Sequence, residues 1–210
     1  MTGTPEPVDQ ARQRSGPPPF SARRLLLVGT GSVGVAFLPF WVNWLRSSYP
    51  ELEIRPVVTR AALRFVTLDA LSGLAGTPAV PDAWPDGPTT TALHVELAEW
   101  ADTVLVYPAT LHYLGRLATG LADTPSLLAL QCTSAVIGLA AGLPPGGWES
   151  PAMRQHRAAL ARRPNVVVAP PEPGRSITTG RTDAETPVPM SLLVAMVERH
   201  RRQQASPGNG

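Results

Sequence analysis

From residue 23 onward, short continuous apolar runs alternate with longer segments in which apolar and polar positions are mixed. Continuous runs suit strands buried on both faces, mixed segments suit helices that bury one stripe, and their alternation predicts strand–helix units feeding a parallel sheet. The expected fold class is α/β. Residues 23–30 (RRLLLVGT) form the first expected strand, and residues 32–49 a helix with Ser32 available as its cap and Pro39 expected to kink it. Residues 52–60 read as a second strand, where Pro56 cannot donate a ladder hydrogen bond and so argues for an edge position or a late start. One helix or two short ones should cover 61–74, and residues 76–91, dense in Pro, Gly, Asp and Thr, read as a long loop. The pattern then predicts helices at 94–100, 111–121, 125–132 and 150–163, the last with Ser150 as cap and Pro151 in its first turn. Strands are expected at 103–107, 135–141 and 165–170, irregular chain at 171–187, and a final amphipathic helix at 189–201.

The two ends depart from this pattern. Residues 1–20 and 204–210 carry too little apolar surface to offset the entropy of ordering them, so a single domain over 21–203 is expected between loose tails. No apolar run approaches the roughly 20 residues that span a bilayer, and no signal pattern opens the chain, which points away from a membrane and toward the cytoplasm. The net charge is only +2 and all 18 basic residues are arginine, so nothing in the charge demands nucleic acid. The single cysteine, Cys132, excludes an intrachain disulfide and cannot alone build a structural zinc site. His94, His112, His156 and His200 share no spacing that would make a metal site.

Three segments carry candidate chemistry. Gly29-Thr30-Gly31-Ser32-Val33-Gly34 satisfies G-x-G-x-x-G directly after a strand and at the mouth of a helix, where glycines let backbone amides approach a phosphate. A dinucleotide site would add an acid at the end of the second strand, yet Thr59 and Arg60 stand there. Arg60 keeps an NADP-linked reductase open as an alternative. Pro108-Ala109-Thr110 follows another expected strand at the edge where open α/β sheets bind ligands, and reads equally well as a helix start capped by Thr110. His94 heads its helix, where the positive dipole end favours the neutral, proton-accepting imidazole of a general base. Beside leucine and valine it fits a packed position too. Residues 146–156 and 170–181 are loop-rich stretches on the same crevice side, able to cover a substrate or to serve as ordinary connections.

Taken in order, LLLVGTGSVG, VVTRAALRFVT, HVELAEWADTVLVYPAT, GLAD (120–123) and WESPAMRQH resemble the homo-oligomeric flavin-containing cysteine decarboxylase family over roughly residues 23–190. The resemblance implies a Rossmann-like, flavodoxin-type three-layer sandwich that binds FMN without a nucleotide half, assembled as a trimer or dodecamer with the flavin between subunits. By position, Gly29, Gly31 and Ser32, with Thr59 and the Pro108, Ala109, Thr110 turn, would hold FMN, and His94 would be the catalytic base. Family members include phosphopantothenoylcysteine decarboxylase and peptidyl-cysteine decarboxylases of lanthipeptide and thioamitide type.

Departures from the coenzyme A branch favour the peptide branch. Ala141, Leu143, Pro144 and Gly147 stand where that branch has the Pro, Met, Asn and Met of its Pro-x-Met-Asn-x-x-Met-Trp motif, and SITTG (176–180) replaces its cysteine loop. The implied reaction is FMN-dependent oxidative decarboxylation of the C-terminal cysteine of a ribosomal precursor peptide to an enethiol. Arg175 or Arg181 would meet the peptide carboxylate. His112 replaces an asparagine usual after the Pro-Ala-Thr/Ser turn. Coenzyme A biosynthesis, the NADP-linked reductase and a catalytically silent flavin-binding partner remain the alternatives at this stage.

Overall fold

A computed structural model of the chain describes residues 16–88, 90–176 and 180–205. Six strands, β1 (Arg24–Gly29), β2 (Glu53–Val58), β3 (Val80–Pro81), β4 (Thr103–Ala109), β5 (Val136–Ala141) and β6 (Val166–Ala169), form one parallel sheet in the order β3-β2-β1-β4-β5-β6. Side chains alternate across each strand, and the two faces bury separate clusters. Leu25, Leu27, Ile54, Val58 and Leu105 face one core with α1 (Leu38–Ser48), α2 (Leu68–Ala75) and α7 (Met190–Ala205). Leu26, Val28, Val57, Val104 and Val106 face the other, under α3 (Leu93–Trp100), α4 (Leu111–Ala118), α5 (Pro125–Cys132) and α6 (Pro151–Leu160). This is the α/β parallel sheet that the alternating apolar runs predict, in the three-layer arrangement that the family resemblance implies.

Four local expectations change. Pro39 does not kink a helix: residues Val33–Phe37 make a tight 3-10 turn capped by Ser32, and Pro39 stands in the first turn of α1, where its missing N–H costs nothing. Pro56 does not put β2 at the edge. β2 lies between β1 and β3, but β3 pairs only with Val57 and Val58, so no neighbour on that side needs the Pro56 amide. The long 76–91 loop contains β3 itself, a strand of two residues too short to leave a periodic signal. The irregular 171–187 stretch contains an antiparallel hairpin of β7 (Glu172–Gly174) and β8 (Ala184–Thr186), whose three-residue strands are equally silent in the pattern.

Residues of the amino-terminal segment are packed onto this sandwich. Phe20 meets Tyr49 edge to face, Tyr49 donates a hydrogen bond to the Pro18 carbonyl, and the amide and hydroxyl of Ser21 both donate to Glu198 of α7 at 2.9 and 2.8 Å. Burial pushes the Glu198 carboxyl up, but the two Ser21 hydrogen bonds and Arg202 outweigh it and hold the group below the usual carboxylate range. A depressed carboxyl adds stability above its unfolded pKa and loses it as pH falls through the folded value. Glu198→Gln is therefore expected to flatten the acid limb of melting temperature against pH, and an unaltered limb would remove Glu198 from that role. Among the described residues, no helix is long and apolar enough to cross a membrane.

Candidate active site

The sheet order reverses at β1. The helix that follows β1 packs on one face and the helix that follows β4 on the other, so a crevice opens at their carboxyl ends, where open α/β sheets bind ligands. The two loops that floor it are tied together. The buried Thr30 hydroxyl donates to the Pro108 carbonyl at 2.6 Å and accepts from the Thr110 amide at 3.1 Å, while Thr110 caps α4 through its own hydroxyl. The Tyr107–Pro108 peptide is cis.

Two cavities meet in this crevice and share Gly31, Thr110 and His112. The larger, about 880 Å³, has an aromatic wall of Phe37, Phe40, Trp41 and Tyr107, faced by Leu143 and Pro144 of the loop after β5 and by Arg175 and Glu185 of the hairpin. Phe37, at the end of the 3-10 turn, and Phe40, in the first turn of α1, are 58% and 61% exposed, a bare apolar patch of the kind that marks a binding surface. Tyr107 donates to the Val188 carbonyl, and burial together with nearby Glu172 pushes its phenol up to about 12. It stays neutral at ordinary pH and serves as wall.

The smaller cavity, about 580 Å³, is lined by Thr59, Arg60, Arg64, Arg116, Asp82 and Thr124. Arg116 is paired with Asp123, but Arg60 and Arg64 have no ion pair among the described residues, and the Thr124 hydroxyl is buried without a hydrogen-bond partner. Unspent guanidinium donors and an orphaned hydroxyl suit a phosphate. Asp82, in contrast, is already committed: it accepts from the Ser126 amide and hydroxyl, both at 2.8 Å, and Tyr113 completes that buried chain. A molecule with a flat apolar body and an anionic tail fits the two cavities together.

The expected site residues divide among several places. Gly31, Ser32, Thr110 and Arg175 line the larger cavity, and Thr59 lines the smaller. Gly29 lines neither; a side chain there would strike Leu38, Val35 and Val58, so it serves helix-on-sheet packing. Ala109 is fully buried, and Pro108 contributes its carbonyl to Thr30. Arg181 pairs with Asp183 at 2.8 Å and lines neither cavity. Within SITTG, residues 177–179 lie outside the described residues.

His94 lies elsewhere in the protomer, in a groove between α3 and α5 with Val95, Ala98 and Cys132. Its ring meets Trp84 edge to face at 5.6 Å, and the Trp84 indole N–H is anchored to the Asp123 carbonyl at 2.9 Å. Nδ1 is buried without a partner. Residues that pattern reading passed over are Arg64, Arg116 and Thr124 on the cationic side and Glu185 on the other, whereas the apolar excess of residues 37–45, which hints at a subunit interface, includes the exposed Phe37 and Phe40 of the cavity wall. The Arg60–Arg64 spacing after β2 was a usable signal; Glu185 had none.

A protein-family model described as Flavoprotein matches residues 16–198. The chain belongs to the Flavoprotein family. Within it, cypemycin cysteine dehydrogenase (decarboxylating) from Streptomyces sp is 33% identical over 187 residues, which cover 89% of this chain and 96% of that relative. The solved structure of the cypemycin decarboxylase CypD aligns with a TM-score of 0.73 at 32% identity, covering 90% of this chain and 99% of that one. That of the FMN-dependent cysteine decarboxylase TvaF from thioviridamide biosynthesis aligns with a TM-score of 0.62 at 29% identity, over 70% and 88%. The bifunctional coenzyme A biosynthesis protein CoaBC of Mycobacterium bovis is 34% identical over 156 residues, but this chain spans only about a third of it: 70% of this chain matches 35% of that protein.

Proposed function

We propose that this flavoprotein is an FMN-dependent decarboxylase acting on the C-terminal cysteine of a ribosomally made precursor peptide. The observation that carries the reading is the pair of joined cavities, one arginine-lined and one aromatic-walled, in a chain that matches a cypemycin cysteine dehydrogenase (decarboxylating) over 96% of that relative's length. Arg60, Arg64 and the Thr124 hydroxyl would hold the FMN phosphate, and Ser32 and Thr110 the polar chain next to it. The aromatic wall would border the ring. An NADP-linked reductase fits less well: Arg60 could meet its extra phosphate, but the proteins this chain matches over most of their length are named as cysteine decarboxylases, one of them FMN-dependent.

Bound there, FMN would supply the two-electron oxidant for the cysteine β-carbon. The chain supplies the rest. Removing the thiol proton makes sulfur electron-rich enough to expel a hydride from the β-carbon, and when the terminal carboxylate leaves as carbon dioxide its bonding electrons form the Cα–Cβ double bond while the carbon–sulfur pair returns to sulfur, giving the enethiol. The base we assign is His94, working through Nε2 because Nδ1 is buried. Arg175 would meet the peptide carboxylate and align it for departure. Because His94 lines a groove separate from the cavities of its own protomer, we assign it to the FMN held by a neighbouring copy, which makes a homo-oligomer, a trimer or a multiple of one, part of the active site. The reaction is set in the cytoplasm, where such peptides emerge from the ribosome.

The decisive experiment pairs a visible spectrum of the purified protein with mass spectrometry of synthetic peptides ending in cysteine. A yellow protein that removes carbon dioxide and two hydrogens from the peptide is the expected result. A colourless protein, or a yellow one inert toward every such peptide but active on phosphopantothenoylcysteine, would overturn the reading. A second expectation concerns the cationic cavity: Arg60→Glu with Arg64→Glu should weaken FMN retention by at least about a hundredfold, since each of the two lost hydrogen bonds to a charged group is worth about 1.5–3 kcal/mol. Flavin absorbance per protein after dialysis measures it, and undiminished flavin would move the phosphate elsewhere.

A further inference from the structure

The loop Leu143–Trp148 (LPPGGW) closes around a side chain from another element. Gly146 sits at φ +75°, the left-handed region that glycine tolerates, and the Gly147 amide turns back to the Pro144 carbonyl at 2.9 Å. The amides on either side of Gly147 thereby point into one concavity, an arrangement that takes anions. Its occupant is Glu185 of β8: one carboxylate oxygen accepts from Gly146 N at 3.1 Å and the other from Trp148 N at 2.7 Å. The Glu185 backbone carbonyl also accepts from Leu143 N at 2.8 Å. Three bonds from one residue thus fasten the β7–β8 hairpin to the loop after β5, and both elements line the larger cavity.

We propose that Glu185 is a positioning residue for the peptide substrate, a latch that makes the hairpin and the 143–148 loop one preformed wall of the cavity. This rests on the function proposed above, in which Arg175 of that cavity meets the peptide carboxylate beside the flavin ring. The three-residue strands of the hairpin are too short to hold their own orientation, and an isolated two-stranded ribbon is marginal in water. Sequestering the Glu185 charge against two amides has a second effect. It leaves Arg175, which lines the same cavity and has no ion pair among the described residues, free of that carboxylate's charge and able to meet an incoming one. Without the latch, the peptide would have to order this wall as it binds, so the cost falls on affinity and not on the chemical step.

The test uses the flavin-loaded full chain and the variants Glu185→Gln and Glu185→Ala. Amide hydrogen exchange at Leu143, Gly146, Gly147 and Trp148 is expected to quicken in both, more in the alanine variant. KM for cysteine-ended peptides should rise roughly tenfold in Glu185→Ala and less in Glu185→Gln, which keeps one acceptor oxygen, with kcat held within about twofold. Unchanged exchange at Gly146 and Trp148 overturns the latch, as does a fall in kcat at constant KM. Should alanine prevent folding, the glutamine variant carries the same readouts. If the wild-type protein turns over no peptide, the function assigned above fails, while the exchange measurement still decides whether the latch exists.

Discussion

His94→Asn should yield a yellow protein that no longer changes the mass of a cysteine-ended peptide. Asparagine fills a similar volume against Trp84 but cannot take a proton, so the loss falls on the thiol deprotonation, and general-base catalysis of this kind contributes about 10²–10⁴-fold. The groove that holds His94 lies apart from the cavities assigned to FMN, and that separation gives the prediction a second limb. Co-assembled copies, one carrying His94→Asn and the other Arg60→Glu with Arg64→Glu, should regain activity that neither variant has alone. Within such an assembly an intact imidazole of one copy faces intact FMN of the other. Full activity of His94→Asn would remove the histidine from the mechanism; failure of mixed copies to complement would return it to its own protomer.

Gly31→Ala is expected to destabilise the protein and strip its flavin together. A methyl group there would lie 2.4 Å from the Ala61 side chain and 3.3 Å from its backbone carbonyl carbon, so the loops after β1 and β2 would have to part. Overpacking of this kind costs roughly 1–3 kcal/mol, and the displaced loops carry lining residues of both cavities. Gly34 provides the contrast, since a side chain there meets nothing nearer than the Ser32 hydroxyl at 3.7 Å. Gly34→Ala should therefore melt close to the parent protein. Adding Ala61→Gly to Gly31→Ala should recover much of the lost stability, and thermal melting with flavin absorbance follows both. A Gly31→Ala protein as stable as its parent would mean that the loops separate at little cost.

The periodic signal carried the sheet and its helices because buried parallel strands such as Leu25–Val28 and amphipathic segments such as α1 span enough residues for a pattern to repeat. It failed where elements are two or three residues long: β3, β7 and β8 are held by their neighbours and have no pattern of their own. Individual side chains followed the same division. Gly31, Ser32, Thr59 and Thr110 sit in loops that strand–helix order already locates, and they do line the crevice. Gly29 answers to the same motif but is set by close packing against Leu38, which local sequence cannot distinguish from ligand approach. Glu185 and Trp84 act on residues about forty and ten positions away in the chain, and long-range pairings of this sort become visible only when the fold brings the partners together.

The junction of the two cavities at Gly31, Thr110 and His112 bears on how long a bound molecule stays. A ligand gripped by guanidinium groups at one end and by aromatic faces at the other cannot leave by loosening one grip at a time without rebinding from the tethered end. Its escape rate is the product of two rare events, so it should behave as a resident prosthetic group that survives many catalytic cycles, while the peptide comes and goes.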